Sequence, residues 1–116
     1  MRPSWTIVYT TEFQSWCGTL NSHHTRLIER KLELLGIYGP ALGRPHVDHI
    51  KGSKYPNLKE LRVTGASAIR IFFCFDAQRQ AVLLIGGHKS SNKDWYKRMI
   101  QQAERIMDIH IEKEEK

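Results

Sequence analysis

At 116 residues the chain has room for one domain with its own core and not for two. A hydrophobic content of 41% excludes global disorder, and no apolar run is long enough to span a bilayer. Eighteen Lys and Arg against twelve acids give a net charge of +6, which points to a polyanionic partner, a field that an acidic protein would exploit equally.

Residues 6–9 predict a short strand, since Ile7, Val8 and Tyr9 favour extended backbone. Thr11 and Gln14 form a T-x-x-Q capping box, and Phe13, Trp16, Cys17 and Leu20 make one apolar helical stripe. Ser22 is placed to cap a second helix that buries Leu27, Ile28, Leu32, Leu34 and Leu35, with Gly36 as its natural stop. The two helices form a hairpin. Residues 38–56 are punctuated by Gly and Pro and read as a loop with one short strand around Ile50. Residues 58–63 resume extended structure, with Leu61 and Val63 on one face and Glu60 and Arg62 on the other. Gly65, Ala66 and Ser67 turn the chain into a strand over 69–75, where Ile69, Ile71, Phe73 and Phe75 alternate with Arg70, Phe72 and Cys74. A polar connection at 76–80 leads into the continuously apolar run 81–85, which Gly86, Gly87, His88 and Lys89 end. Ser91 and Asp94 give an S-x-x-D helix start. The last helix then buries Tyr96, Met99, Ile100, Ala103, Ile106 and Met107, and a charged tail begins at about residue 111.

The expected architecture is one α+β domain spanning residues 1–116. It has a small antiparallel sheet, an N-terminal helical hairpin and a C-terminal helix. Phe13, Trp16, Ile28, Leu35, Ile71, Phe73, Leu83, Ile85 and Ile106 are its predicted core. Cys17 and Cys74 lie in apolar patterns and read as buried thiols. With no signal-peptide pattern, they imply a reducing cytoplasm.

Basic groups collect around the central strands. Arg62 and Arg70 have the same parity about the turn that joins their strands, so they are expected to share a face. Two planar guanidiniums there would grip adjacent phosphates. An exposed sheet face with salt bridges to Glu60 would read the same way. His88 and Lys89 end a buried strand beside two glycines, which would let a ligand approach closely. Histidine titrates near neutrality, and lysine supplies charge for a phosphorane-like transition state. Lys51, Lys54 and Lys59, with Tyr55 among them, make a basic loop suited to tracking an RNA backbone. Either Trp95 or Tyr96 must face the core, and the apolar stripe assigns that side to Tyr96, whose hydroxyl would still reach the sheet face. His46, Asp48 and His49 superficially suggest a metal, but no further ligand falls at a recognised spacing, so neither metal nor cofactor is expected.

Three motifs recur in order: Gly43-Arg44-Pro45 with Ile50-Lys51-Gly52, then Lys59-Glu60-Leu61-Arg62, then Ile69-Arg70-Ile71 running to Gly86-Gly87-His88-Lys89. Trp95-Tyr96-Lys97-Arg98 opens the helix that follows. From Thr6 to about His110 this order resembles the RelE/HigB toxins of bacterial type II toxin–antitoxin modules, in their phage-related HigB-like branch.

The resemblance implies a RelE-like fold and a metal-independent endoribonuclease that cuts mRNA, commonly on the ribosome. In such enzymes the RNA 2′-hydroxyl attacks the adjacent phosphate and leaves a cyclic phosphate. It also implies a cognate helix-turn-helix antitoxin of HigA type. The family's central-strand arginine falls on Arg70, its basic residue after the last strand on Lys89 beside His88, and its helix aromatic on Trp95 or Tyr96. The expected catalytic set is therefore Arg70, His88, Lys89 and Tyr96, with Lys51, Lys54, Lys59 and Arg62 positioning RNA. The strand lysines of RelE have no counterpart, because Leu58 and Glu60 stand there, and this leaves the general base open. His88 is the choice on proton-transfer chemistry. A ParE-like, non-catalytic gyrase inhibitor and a nucleic-acid-binding module without turnover are the alternatives.

Overall fold

The computed structural model describes residues 5–63 and 68–115, so the turn expected over Gly65, Ala66 and Ser67 lies outside the described residues. In chain order come β1 (Thr6–Tyr9), α1 (Thr11–Cys17), α2 (Ser22–Tyr38), a 3-10 turn (Gly39–Ala41) and β2 (Val47–His49). They are followed by β3 (Leu58–Val63), β4 (Ile69–Phe75), β5 (Gln80–His88) and α3 (Trp95–Glu114). The strands form one sheet in the order β1-β5-β4-β3-β2. From β2 to β5 neighbouring strands are antiparallel, as expected. At the other edge β1 runs parallel to β5. The Thr10 hydroxyl donates to the carbonyls of Leu83 and Leu84, which ties the start of α1 to β5.

Both faces of the sheet are covered. Phe13 of α1 and Ile28, Leu32 and Leu35 of α2 pack on Leu61, Ile69, Ile71, Phe73 and Leu83. On the opposite face Trp95, Met99, Ala103, Ile106 and Met107 of α3 pack on Leu58, Phe72, Cys74, Val82 and Leu84. A strand buried on both sides is apolar throughout, which explains the unbroken run at 81–84. Of the predicted core, Trp16 and Ile85 are only half-buried, and the rest is buried. Burial raises the Cys74 thiol to about 12, so it is inert as a nucleophile at neutral pH.

The helix ends differ in detail from expectation. Thr10 caps α1 by accepting from the Phe13 N–H, and Asn21 caps α2 by accepting from His24. In each case the residue just before the helix is extended and can turn its oxygen back, whereas Thr11 and Ser22 are already helical. Gly36 does not stop α2. Its carbonyl accepts from the Trp5 N–H, and the helix runs on to Tyr38, where Gly39 at φ +54° ends it. The expected charged tail is helical to Glu114, because Ile111 still packs on the core and His110 and Glu114 engage the β4–β5 hairpin. No helix among the described residues is long and apolar enough to cross a membrane.

Candidate nucleic-acid interface

Arg62 and Arg70 are direct cross-strand partners on β3 and β4, so the shared parity read from sequence is realised. Glu60, two residues before Arg62, lies on the same face and is buried, with 3% of its surface exposed. A buried carboxylate needs charged or hydrogen-bonding partners. Glu60 has several. The Tyr96 hydroxyl donates to Oε2 at 2.7 Å, Arg62 Nε donates to Oε1 at 3.3 Å, and Arg70 Nε lies 3.8 Å from Oε1. Arg62 also reaches Asp48 Oδ2 on β2 at 3.0 Å, and Arg44 meets the same oxygen at 3.1 Å. Lys89 closes the row. Its backbone N–H donates to the Ala68 carbonyl, and its ammonium lies 5.8 Å from the centre of the Tyr96 ring. A polar line thus runs from Arg44 through Asp48, Arg62, Glu60, Arg70 and Tyr96 to Lys89.

Within this line Arg70 is distinctive. Its side chain is 15% exposed, its Nη1 donates to the Ile69 carbonyl, and its Nε is buried without a hydrogen-bond partner. Burial first, and then the bond to Glu60, push Tyr96 up to about 12, so it stays an O–H donor at neutral pH. The hydrogen bonds from Arg44 and from the His49 N–H hold Asp48 below the usual carboxylate range, which keeps its end of the line ionised.

Of the expected site residues, Arg70, Lys89, Tyr96 and Arg62 come together, and the others do not. The His88 ring contacts His24 of α2 at 5.9 Å between centroids, on the face opposite Arg70. The cause is a β-bulge in β5. Phe72 pairs with Ile85 but Phe73 with Leu83, which leaves Leu84 as the extra residue. One inserted residue flips every side chain beyond it, so Gly87 stands opposite Arg70 and His88, opposite Ile69, is turned to the other face. Nor do the glycines open space for a ligand. A Cβ on Gly86 would overlap the Trp16 ring, and one on Gly87 would lie 3.2 Å from Met99 and Trp95.

Lys59 points to the helical-hairpin face, its ammonium 5.4 Å from the Phe75 ring. Lys54 is paired with Asp108 of α3 at 2.9 Å, and the Tyr55 hydroxyl donates to the same carboxylate. Lys51 is exposed in that loop. The expected assignment of Tyr96 to the core is also amended. Trp95 is the buried residue, and Tyr96 is half-buried with its hydroxyl on Glu60. Glu60 is not among the expected site residues, although a carboxylate sharing a strand face with two arginines is a signal the sequence carries. His46, one of the suggested metal ligands, instead lies 2.8 Å from the Lys31 ammonium.

Residues 15–108 match the family described as phage derived protein Gp49-like (DUF891). Two relatives from Mycobacterium tuberculosis bear toxin names. HigB3 is 41% identical over 99 residues, 84% of this chain and 86% of its own length. HigB2 is 38% identical over 100 residues, and this match covers 84% of the chain but spans only 50% of HigB2. Among solved structures, a variant of the E. coli toxin RelE in the free state superposes with a TM-score of 0.65 at 12% identity, covering 90% of this chain and 97% of that one. An archaeal RelE–RelB complex from Pyrococcus horikoshii gives 0.62 at 13% identity, covering 77% and 99%. At such identities the two structures speak for the fold alone. The chain belongs to the phage-derived Gp49-like family, and with it to the RelE/HigB-type toxins of toxin–antitoxin systems.

Proposed function

We propose that this toxin is a metal-independent mRNA endoribonuclease, acting on ribosome-associated message and held inactive by a cognate antitoxin. The carrying observation is the cross-strand pair Arg62 and Arg70, braced by buried Glu60 and flanked by Tyr96 and Lys89. Arg70, with one N–H unmatched, and Lys89 would hold the scissile phosphate and offset its developing charge. Arg62 and Arg44 would hold neighbouring phosphates.

Because His88 lies across the sheet, proton transfer is assigned to the Glu60–Tyr96 pair. The 2′-hydroxyl oxygen attacks phosphorus and gives its proton to Glu60. As the bond from phosphorus to the 5′ oxygen breaks, Tyr96 protonates that oxygen. Glu60 then returns the proton to Tyr96 along their hydrogen bond. Both groups are restored, and the RNA is left with a cyclic phosphate and a free 5′-hydroxyl. The antitoxin reading draws support from the RelE–RelB complex among the fold relatives. A HigA-like helix-turn-helix protein is the expected form.

The test is cleavage of message by purified chain, alone and with ribosomes. Arg70→Ala leaves Glu60 with one positive neighbour fewer, so Arg70→Lys is the companion variant that keeps the charge. Arg70→Lys, Glu60→Gln and Tyr96→Phe should each lose roughly 100-fold in rate. His88→Ala should cleave within a few-fold of wild type, and a chelator should change nothing. Wild-type rates in both Arg70→Lys and Tyr96→Phe would sink the mechanism. A chain that spares RNA with and without ribosomes but blocks gyrase supercoiling would instead be the non-catalytic inhibitor.

A further inference from the structure

The far end of α3 carries a second constellation that the basic face does not use. His110 and Glu114 stand one turn apart on the helix, and Asp76 faces them from the mouth of the β4–β5 hairpin. The His110 Nε2 atom lies 2.6 Å from Glu114 Oε1 and 3.4 Å from Asp76 Oδ2. All three donor atoms fall within 4.8 Å of one another. The other oxygen of Asp76 accepts from the backbone N–H groups of Gln78 and Gln80, which fixes the carboxylate with Oδ2 turned toward His110. The Gln80 side-chain amide reaches Asp76 at 2.6 Å and Glu114 at 3.0 Å.

We propose that Asp76, His110 and Glu114 bind one divalent transition-metal ion of the zinc class, clamping the last turns of α3 to the β4–β5 hairpin. One imidazole nitrogen and two carboxylate oxygens match that class, whereas magnesium and calcium prefer oxygen alone. The two carboxylates balance the charge of the ion. Zinc bonds of about 2.0–2.2 Å in a tetrahedron set donors a little over 3 Å apart, so the triad needs only small side-chain adjustments. Gln80 completes the ring. The oxygen and nitrogen of an amide exchange places by a simple flip, which would turn its carbonyl toward the ion as a fourth donor. An ion has a route in, because a cleft of about 410 Å³ lined by Asp76 and Glu114 opens beside the triad. The site is separate from the basic face, since His110 lies fourteen residues beyond Tyr96, roughly 21 Å along the helix.

Titration of metal-free full-length chain with zinc chloride, followed by calorimetry and thermal melting, tests this without RNA, so a failed nuclease reading leaves it intact. One zinc per chain and a raised Tm are expected, with no response to magnesium. Loss of a first ligand should exceed the 10–100-fold typical of outer partners, so His110→Ala should weaken zinc by about 100-fold or more. Glu114→Gln, which keeps the size and hydrogen bonding of the side chain, should also bind more weakly and guards against misfolding of the first variant. His24→Ala, which removes the ring contacts with His23 and His88, should bind zinc as wild type does. Absence of zinc binding overturns the proposal. So does full binding in both His110→Ala and Glu114→Gln, or loss of binding in His24→Ala.

Discussion

Glu60 is the residue on which the basic face depends. Without it, Arg62 and Arg70 would meet across two strands as like charges, which is destabilising for directly opposed residues. With it, each guanidinium has an anionic neighbour, and the Tyr96 hydroxyl is aimed by the same carboxylate. The titration of Tyr96 reports on this arrangement. Its proton is held to about pH 12 in the folded chain, against 10.0 in a free tyrosine. Between these values the unfolded chain loses a proton that the folded chain keeps, so stability should fall as pH rises from 10 toward 12. Below pH 10 the titration of Tyr96 should add no pH dependence to stability. Tyrosinate absorbance and urea unfolding across pH 8–12, compared with Tyr96→Phe, would check this. Identical alkaline profiles in the two proteins would contradict it.

Among the elements, β5 decides what the sheet presents. Period-2 reading located β3 and β4 and paired Arg62 with Arg70 correctly, because one-sided alternation carries parity. The run 81–84 is apolar on both faces, so it holds no parity signal, and the bulge at Leu84 that turns His88 away was illegible there. Lys59 is different. Its parity opposite Arg62 was already readable, and grouping it with the basic loop overrode that signal. The hydrogen bonds from Lys54 and Tyr55 to Asp108 join residues far apart in sequence, and no local pattern encodes them. Gly86 makes the packing around β5 testable. Gly86→Ala would push a methyl group into Trp16 and should destabilise by about 1–3 kcal/mol. Trp16→Leu should recover part of that loss in a double-mutant cycle measured by urea unfolding. Additive effects would mean that the ring is not the obstacle.

For the molecule as a whole, the +6 charge is distributed more selectively than its size suggests. Lys54 is neutralised by α3, while Arg44, Arg62, Arg70 and Lys89 line one row. Four phosphate contacts to a single strand predict that the logarithm of RNA affinity falls with the logarithm of salt at a slope of roughly −3. Anisotropy with an RNA blocked by a 2′-deoxy substitution at the cut site would measure it. A slope near zero would remove the row from RNA binding. Replacing Lys89 should reduce the slope by about one, and replacing Lys59 on the opposite face should leave it unchanged.

The parallel pairing of β1 with β5 sets a timetable. Thr10 bonds to carbonyls 73 and 74 residues further along the chain. At synthesis rates of 5–20 residues per second, the first strand waits roughly 4–15 s for its partner to be made. Lys89 and Tyr96 are translated later still. A nascent chain that stops short of them carries both arginines and Glu60 but neither of the groups that complete the row. If the proposed row carries the cleavage, toxicity would be withheld from the growing polypeptide until most of it has been translated.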